Sequence, residues 1–156
     1  IRFEPLPAMF PGDCNKNRIY TIFVMKMVLN DTLANALSVI TQYERLGRKE
    51  VIVRPSSKII KAVLDVLHRE GYVGSYEEVG TGRDKHIKIN LIGQVNRCGA
   101  IKPRFPIALD EFEKREKQYL PAKGFGVLVL STPLGIITHT EAQQKKTGGQ
   151  LLAYCY

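Results

Sequence analysis

Two hydrophobic periodicities alternate along residues 27–92, and this alternation restricts the fold more strongly than any other feature of the sequence. The first apolar residues recur at the spacing of one helix face: Leu33, Ala36, Leu37, Ile40 and Tyr43. The short β-branched run 50–54 then has the composition of a strand, and helical spacing returns after Pro55. Helices and a strand that alternate and then give way to further strands predict a mixed α+β fold.

Turn and capping residues set the limits of the elements in this first unit. Residues 30–32 supply N-cap candidates for the first helix, and Gly47 offers its stop. The second helix is predicted to end at Gly71 and to bury five apolar side chains: Ile59, Ile60, Val63, Leu64 and Leu67. Residues 72–79 and 86–92 are predicted strands, and the glycines between them favour a hairpin. The unit therefore has the order α-β-α-β-β.

A second unit, residues 93–156, is predicted to be mostly antiparallel β with short helices. Residues 100–105 are expected to be an extended edge segment, because proline cannot donate to a ladder. Residues 110–119 predict a charged helix that packs Phe112 and Tyr119, and the run 125–130 (FGVLVL) predicts a central strand. Capping and turn residues then precede a last strand: Thr138, Glu141, Gly148, Gly149 and the strand 151–156. The predicted fold class is α+β, with two small subdomains.

Residues 1–26 differ from the rest of the chain and are predicted to be an N-terminal extension. Several prolines open the segment, and its apolar stretch, residues 19–24, is short. Acidic residues interrupt its start, which argues against a signal peptide. Met25 and Met27 lie at the boundary, so translation starting there is an alternative interpretation.

The charge balance indicates the class of partner. The 156 residues include 23 Lys and Arg and 15 Asp and Glu, which gives a formal net charge of +8. Such an excess favours a polyanionic partner. A hydrophobic fraction of 44% excludes a disordered chain. Since no apolar run approaches the roughly 18 residues of a membrane span, no membrane partner is predicted.

No pattern in the sequence supports catalysis or metal binding. The carboxylates within residues 110–116 are predicted to lie on a solvated helix face. There is no phosphate loop and no evident nucleophile with a base, so the prediction is no enzyme, no cofactor, no metal and no small-molecule substrate. The cysteines are too far apart for a zinc motif and are interpreted as reduced thiols in a cytosolic protein: Cys14, Cys98 and Cys155. The histidines are predicted to occupy surface or capping positions: His68, His86 and His139.

The turn 54–58 is the first candidate for a nucleic-acid contact. It places Ser56 and Ser57 at a helix N-terminus, between Arg54 and Lys58. Free backbone N–H groups, the positive end of the helix dipole and two hydroxyls all suit a phosphate. Simple N-capping by Ser56 or Ser57 is the open alternative, and it requires no ligand.

A short basic stretch is the second candidate. Arg97, Lys102 and Arg104 lie close together in the sequence, with Phe105 beside them. Cationic loops with an exposed ring contact phosphates and stack on unpaired bases. The alternative is a solvated linker with Phe105 in the core.

Residues 131–135 (STPLG) are the third candidate. They leave the predicted central strand, and the hydroxyls of Ser131 and Thr132 are suited to base edges and 2′-hydroxyls. Gly135 permits a positive φ or the close approach of another backbone. An ordinary β-to-α turn is the alternative. Because the segment has no cation, it would give specificity and not general attraction.

These candidates belong to a set of strings that occur in the order found in one protein family. The strings are residues 33–37 (LANAL), 54–58 (RPSSK), 71–74 (GYVG), 96–105 (NRCGAIKPRF), 120–122 (LPA), 131–135 (STPLG) and 148–154 (GGQLLAY). Residues 27–156 thereby resemble small-subunit ribosomal protein eight in its archaeal and eukaryotic form.

The resemblance implies a structural, non-catalytic RNA-binding protein in cytoplasmic ribosomes. The family binds the central domain of small-subunit rRNA early in assembly, beside neighbouring small-subunit ribosomal proteins. Its RNA-contacting loop has the pattern serine-threonine-serine-x-glycine, and Pro133 replaces the second serine here. The contacts that the resemblance transfers to this part of the chain are Ser131, Thr132, Gly135, Gly148, Gly149 and Gln150.

A role from another class also stays open. The protein would then be a free-standing RNA-binding translational regulator or a protein-docking module. The residues that would dock other proteins are the aromatic terminus Tyr154-Cys155-Tyr156 and the stretch 19–24.

Overall fold

The computed structural model describes residues 31–80 and 85–156, which form four α-helices and eight strands. The helices are α1 (Thr32–Arg45), α2 (Lys58–Arg69), α3 (Phe112–Tyr119) and α4 (His139–Gln144), and a 3₁₀ turn (Leu109–Glu111) precedes α3. The strands are β1 (Glu50–Val53), β2 (Val73–Val79), β3 (His86–Leu91), β4 (Cys98–Ala100), β5 (Pro106–Ile107), β6 (Val127–Thr132), β7 (Gly135–Thr138) and β8 (Gly149–Cys155). The predicted α+β class is confirmed. The predicted extension 1–26 lies outside the described residues.

Local sequence signals account for both long helices. The Asp31 carboxylate caps α1 by accepting hydrogen bonds from the N–H groups of Leu33 at 3.0 Å and Ala34 at 3.3 Å. The apolar stripe of α2 begins at Ile60 and is buried. The prediction that Ile59 belongs to this stripe is wrong, because Ile59 lies one position before it and is 40% exposed.

All strand pairs are antiparallel and form two sheets. The first sheet has the order β1-β3-β2, so the predicted β2–β3 hairpin is confirmed. The second has the order β4-β8-β6-β7, and β5 also pairs with β8. The central strand β6 begins at Val127 and not at the predicted Phe125, which is 57% exposed. Gly126 separates the two with a φ of +105°, a conformation that interrupts regular strand geometry.

Strand β6 is buried on both faces, which explains its continuous apolar sequence. Val127 and Val129 belong to a core cluster that also includes side chains of α1, α2 and the first sheet. Leu128 and Leu130 belong to a second cluster that surrounds Phe112 of α3. The strand therefore forms a rigid base for the hairpin that follows it.

A polar pair is buried beneath β6. Glu116 is 6% exposed and His139 is 1% exposed, so the predicted solvated position of Glu116 and the predicted surface or capping position of His139 are both wrong. The Leu128 N–H donates to His139 Nδ1 at 3.2 Å, which leaves the ring proton on Nε2. Nε2 lies 2.8 Å from Glu116 Oε1, a close contact whose angle departs from regular hydrogen-bond geometry. The two side chains are 23 positions apart in the sequence and are in contact only in the folded protein.

Candidate nucleic-acid interface

Residues 131–135 form a tight β-hairpin between β6 and β7 instead of a β-to-α turn. Thr132 pairs with Gly135, which leaves Pro133 and Leu134 as a two-residue turn. The Thr132 hydroxyl donates to the Gly135 carbonyl oxygen at 2.9 Å, and Thr132 is buried. Gly135 has a φ of +120°, which favours glycine. Thr132 and Gly135 thus define the shape of the turn.

Ser131 of β6 and Gln150 of β8 lie next to the β6–β7 turn, and we call the face that they form the hairpin surface. They lie directly opposite each other in the β6–β8 pair, so their side chains project from the same face of the sheet. Ser131 is half-buried and Gln150 is exposed. A hydroxyl and an amide side by side offer both donors and acceptors to one ligand.

The two glycines before Gln150 are required by close approach within the protein. A Cβ at Gly148 would lie 2.6 Å from the carbonyl oxygen of Ile107. A Cβ at Gly149 would lie 2.5 Å from the carbonyl oxygen of Ser131. Glycine at both positions therefore lets β5 and β6 flank the start of β8 closely.

The C-terminal end of the basic stretch, Arg104, is followed by Phe105 and then by β5, which pairs with β8 at Gln150. Pro106 lies opposite Gln150 in the β5–β8 pair, and the Leu151 N–H donates to the Phe105 carbonyl oxygen at 3.1 Å. Phe105 is 38% exposed, so the alternative that places it in the core is wrong. The guanidinium carbon of Arg115 lies 5.0 Å from the centroid of this ring. Sequence reasoning missed Arg115 because the charged pattern of its helix gives no sign of this neighbour.

Lys102 and Arg104 contact an acid that the sequence indicated only as an N-cap. Lys102 Nζ lies 2.9 Å from Asp31 Oδ2, and the Arg104 guanidinium lies 4.0 Å from the same oxygen. Partial burial acts to raise the pKa of the Asp31 carboxyl, but hydrogen bonds from Lys102 and from two backbone N–H groups outweigh it and lower the pKa. Asp31 therefore remains ionised and offsets part of the charge of both cations.

Arg97 lies at the opposite end of β8 from Gln150. Its backbone exchanges two hydrogen bonds with Tyr156, at 2.8 and 2.9 Å. Tyr156 lies six positions after Gln150, which corresponds to about 20 Å of extended chain. A hydrogen bond with Tyr156 raises the pKa of the Arg97 guanidinium, and the nearby Tyr154 raises this pKa further. The structure thus separates Arg97 from Gln150 and Ser131.

At the start of α2, neither serine hydroxyl caps the helix. Ser57 is the N-cap residue, but its side chain makes no capping hydrogen bond. The Ser56 hydroxyl donates to Glu78 Oε1 at 2.8 Å, and Lys61 Nζ lies 2.6 Å from Glu78 Oε2. Hydrogen bonds from Lys61 and Ser56 lower the pKa of Glu78. Since no serine side chain caps α2, the backbone N–H groups of its first turn can still donate hydrogen bonds to an anion. Lys58 is exposed beside them.

The described residues contain no group of three His, Cys, Asp or Glu side chains arranged to hold a metal ion. Within the same residues, no helix is long and apolar enough to cross a membrane. The chemistry that these side chains offer is hydrogen bonding, charge attraction and stacking, and these interactions suit a polyanion such as nucleic acid.

Comparisons with known proteins identify the family to which the chain belongs. Residues 31–156 match the family model of ribosomal protein S8. Small ribosomal subunit protein uS8 of Desulfurococcus amylolyticus is 53% identical over 133 residues, which cover 83% of this chain and 100% of that protein. The chain therefore belongs to the ribosomal protein S8 family, as the resemblance of its sequence predicts. This is a family of structural ribosomal proteins of the small subunit and not a family of enzymes.

Proposed function

We propose that the protein binds the central domain of small-subunit rRNA directly and supports the assembly of the subunit. It would act in cytoplasmic ribosomes, beside neighbouring small-subunit proteins. The observation that carries the proposal is the convergence at the start of β8. Ser131 from β6 and Pro106 from β5 lie on either side of Gln150, and Pro106 directly follows Arg104 and Phe105.

Two kinds of contact divide the work in this proposal. Cations such as Lys58 and Arg104 attract phosphates and determine the salt dependence of binding. Ser131 and Gln150 read base edges or 2′-hydroxyls, and Phe105 offers a ring for an unpaired base. Pro133 takes the place of the second serine of the family pattern, so Ser131 and Gln150 supply the polar atoms beside this turn.

Replacing Ser131 with alanine tests the specificity contact. We expect affinity for a central-domain rRNA fragment to fall by about 1–3 kcal/mol, because a buried hydrogen bond to the RNA is lost. Affinity for a competitor RNA of equal length should change little. The exposed Ser38 of α1 provides a control, and Ser38→Ala should bind both RNAs as the wild type does. If Ser131→Ala loses as much affinity for the competitor RNA as for the rRNA fragment, then Ser131 does not contribute to specificity.

Replacing Asp31 with asparagine tests the basic stretch. Asparagine caps a helix about as well as aspartate, but it removes the carboxylate that faces Lys102 and Arg104. We therefore expect tighter rRNA binding at low salt and a salt slope that is steeper by up to about one unit. The measurement is a series of binding titrations across salt concentrations.

A matched control for this variant removes a carboxylate from an ion pair elsewhere. Glu113→Gln breaks the exposed pair that Glu113 forms with Lys123 at 2.8 Å and adds the same unit of positive charge. If Glu113→Gln strengthens binding as much as Asp31→Asn, then net charge explains the effect and the basic stretch has no special part in it.

Protein docking is a second candidate, favoured by the tyrosines at the far end of β8. Tyr154 stacks on Tyr119 and on Tyr156, with ring centroids 5.9 and 6.3 Å apart. These rings line an open concavity of about 290 Å³ that also includes Arg97. A free-standing regulator would be recovered outside the subunit after sedimentation of a cell extract, whereas a ribosomal constituent sediments with it.

A further inference from the structure

Two buried cysteines lie directly opposite each other, away from the candidate interface. Cys98 in β4 and Cys155 in β8 are partners in the antiparallel pair that joins these strands. Both are free thiols and both are buried. Nothing in the proposed RNA contact makes use of them.

The position of the pair in the ladder brings its side chains close together. Arg97 and Tyr156, the neighbouring pair, exchange both of their backbone hydrogen bonds, so Cys98 and Cys155 occupy the non-hydrogen-bonded position that follows. At such positions the Cα atoms are about 4.5 Å apart and both side chains point to the same face. This separation lies within the range of about 4.4–6.8 Å that disulfides require.

A second element fixes Cys98 in this position. The Cys98 N–H donates to the Thr41 hydroxyl of α1 at 3.2 Å. The Thr41 hydroxyl also lies 3.0 Å from the carbonyl oxygens of both Cys98 and Leu37, which share its single proton. The cysteine is therefore held by α1 on one side and by β8 on the other, directly across the ladder from Cys155.

We propose that Cys98 and Cys155 are an oxidative modification site and form a cross-strand disulfide in a thiol–disulfide buffer. A hydrogen bond with Cys155, together with burial, raises the pKa of the Cys98 thiol. Because the thiolate is the reactive form, exchange in the folded state is slow and follows opening of the short edge strand β4.

With oxidised glutathione as the oxidant, the reaction proceeds by two exchanges. One cysteine thiolate attacks the glutathione disulfide, forms a mixed disulfide and releases one glutathione thiolate. The second cysteine thiolate then attacks the protein sulfur of the mixed disulfide and releases the other glutathione. Two protein thiols are oxidised to one disulfide, and one glutathione disulfide is reduced to two glutathione molecules.

The cross-link would fasten the segment that leads into the basic stretch. β4 ends two residues before Lys102, and the disulfide would attach it covalently to β8. Cys98 and Cys155 are 57 positions apart, so the bond would close a long loop in the unfolded chain. Closing a loop of this size stabilises the fold enough to raise the melting temperature by roughly 10–15 °C.

The test uses the full chain with Cys14→Ser, which leaves two cysteines. The protein is equilibrated in buffers of oxidised and reduced glutathione, quenched with acid, alkylated in denaturant and analysed by intact mass and peptide mapping. The expected result is a species that takes up no alkyl group and is about 2 Da lighter than the reduced chain before alkylation. It should contain a peptide that links Cys98 to Cys155 and should melt at the higher temperature.

The same chain in its reduced form is the first control, and it carries no substitution in the core. Cys155→Ala is the second, and it should gain no stability from the oxidising buffer. The proposal is overturned if both thiols are still free in the oxidising buffer and are therefore alkylated after the quench, or if they form only mixed disulfides with glutathione. It is also overturned if the linked species has the melting temperature of the reduced chain.

Discussion

Replacing Gly149 with alanine is expected to lower the free energy of unfolding by about 3 kcal/mol. The added Cβ would lie 2.5 Å from the Ser131 carbonyl oxygen and 2.9 Å from Cγ2 of Thr132. A backbone oxygen cannot avoid this contact by changing rotamer, so β6 and β8 must separate where Ser131 faces Gln150. Urea unfolding measures the loss of stability. We also expect the variant to discriminate less between rRNA and competitor RNA.

Gly47 provides a matched control for this substitution. It has a φ of +64°, and a Cβ there would meet no atom within 4 Å. Gly47→Ala should therefore cost only the strain of a left-handed conformation, about 1 kcal/mol. If Gly149→Ala is no less stable than Gly47→Ala, the two strands do not approach as closely as the structure indicates.

Replacing His139 with alanine is expected to cost about 3–5 kcal/mol of stability. The substitution removes the acceptor of the Leu128 N–H and leaves the buried Glu116 carboxylate without its neighbour. It also opens a cavity, because His139 is among the largest fully buried side chains. Thermal or urea unfolding of the variant measures the loss.

Glu116→Gln separates the contribution of charge from that of shape. The amide keeps an oxygen 2.8 Å from where His139 Nε2 lies, and it carries no charge. We expect this variant to lose about 1 kcal/mol or less, in the range of a single hydrogen bond. Equal losses of 3 kcal/mol or more in both variants would contradict this division, since an ionised carboxylate would then be essential to the core.

These two sites connect stability to the proposed RNA contact. Gly149 keeps β8 against β6 beside Ser131, and His139 supports β6 from below through Leu128. A specific contact requires the hydroxyl and amide to be held in a fixed relation, because small displacements weaken hydrogen bonds steeply. The buried polar pair and the double glycine are therefore part of what positions the hairpin surface.

Elements defined by local signals were predictable from the sequence. The α1 cap at Asp31 depends on residues that are close in the chain, as does the hairpin of β2 and β3. The continuous apolar run of β6 correctly predicts a central strand, since only a strand covered on both faces requires it. Periodicity and capping were sufficient at these places.

Features that depend on distant partners were not predictable in the same way. The charged sequence around Glu116 predicts a solvated helix face, and the buried contact with His139 depends on a residue 23 positions away. The pairing of Asp31 with Lys102 joins residues 71 positions apart, and the contact of Arg115 with Phe105 joins two segments that the sequence treats separately. Arg97 was grouped with Lys102 by proximity in sequence, yet β8 directs them to different regions.

Photo-cross-linking of purified small subunits that contain this protein, with mass spectrometry of the cross-linked peptides, tests the central claim most directly. We expect cross-links from peptides that carry residues 131–135 or 148–150 to nucleotides of the rRNA central domain. Cross-links from these peptides only to other rRNA domains, or absence of the protein from washed subunits, would contradict it.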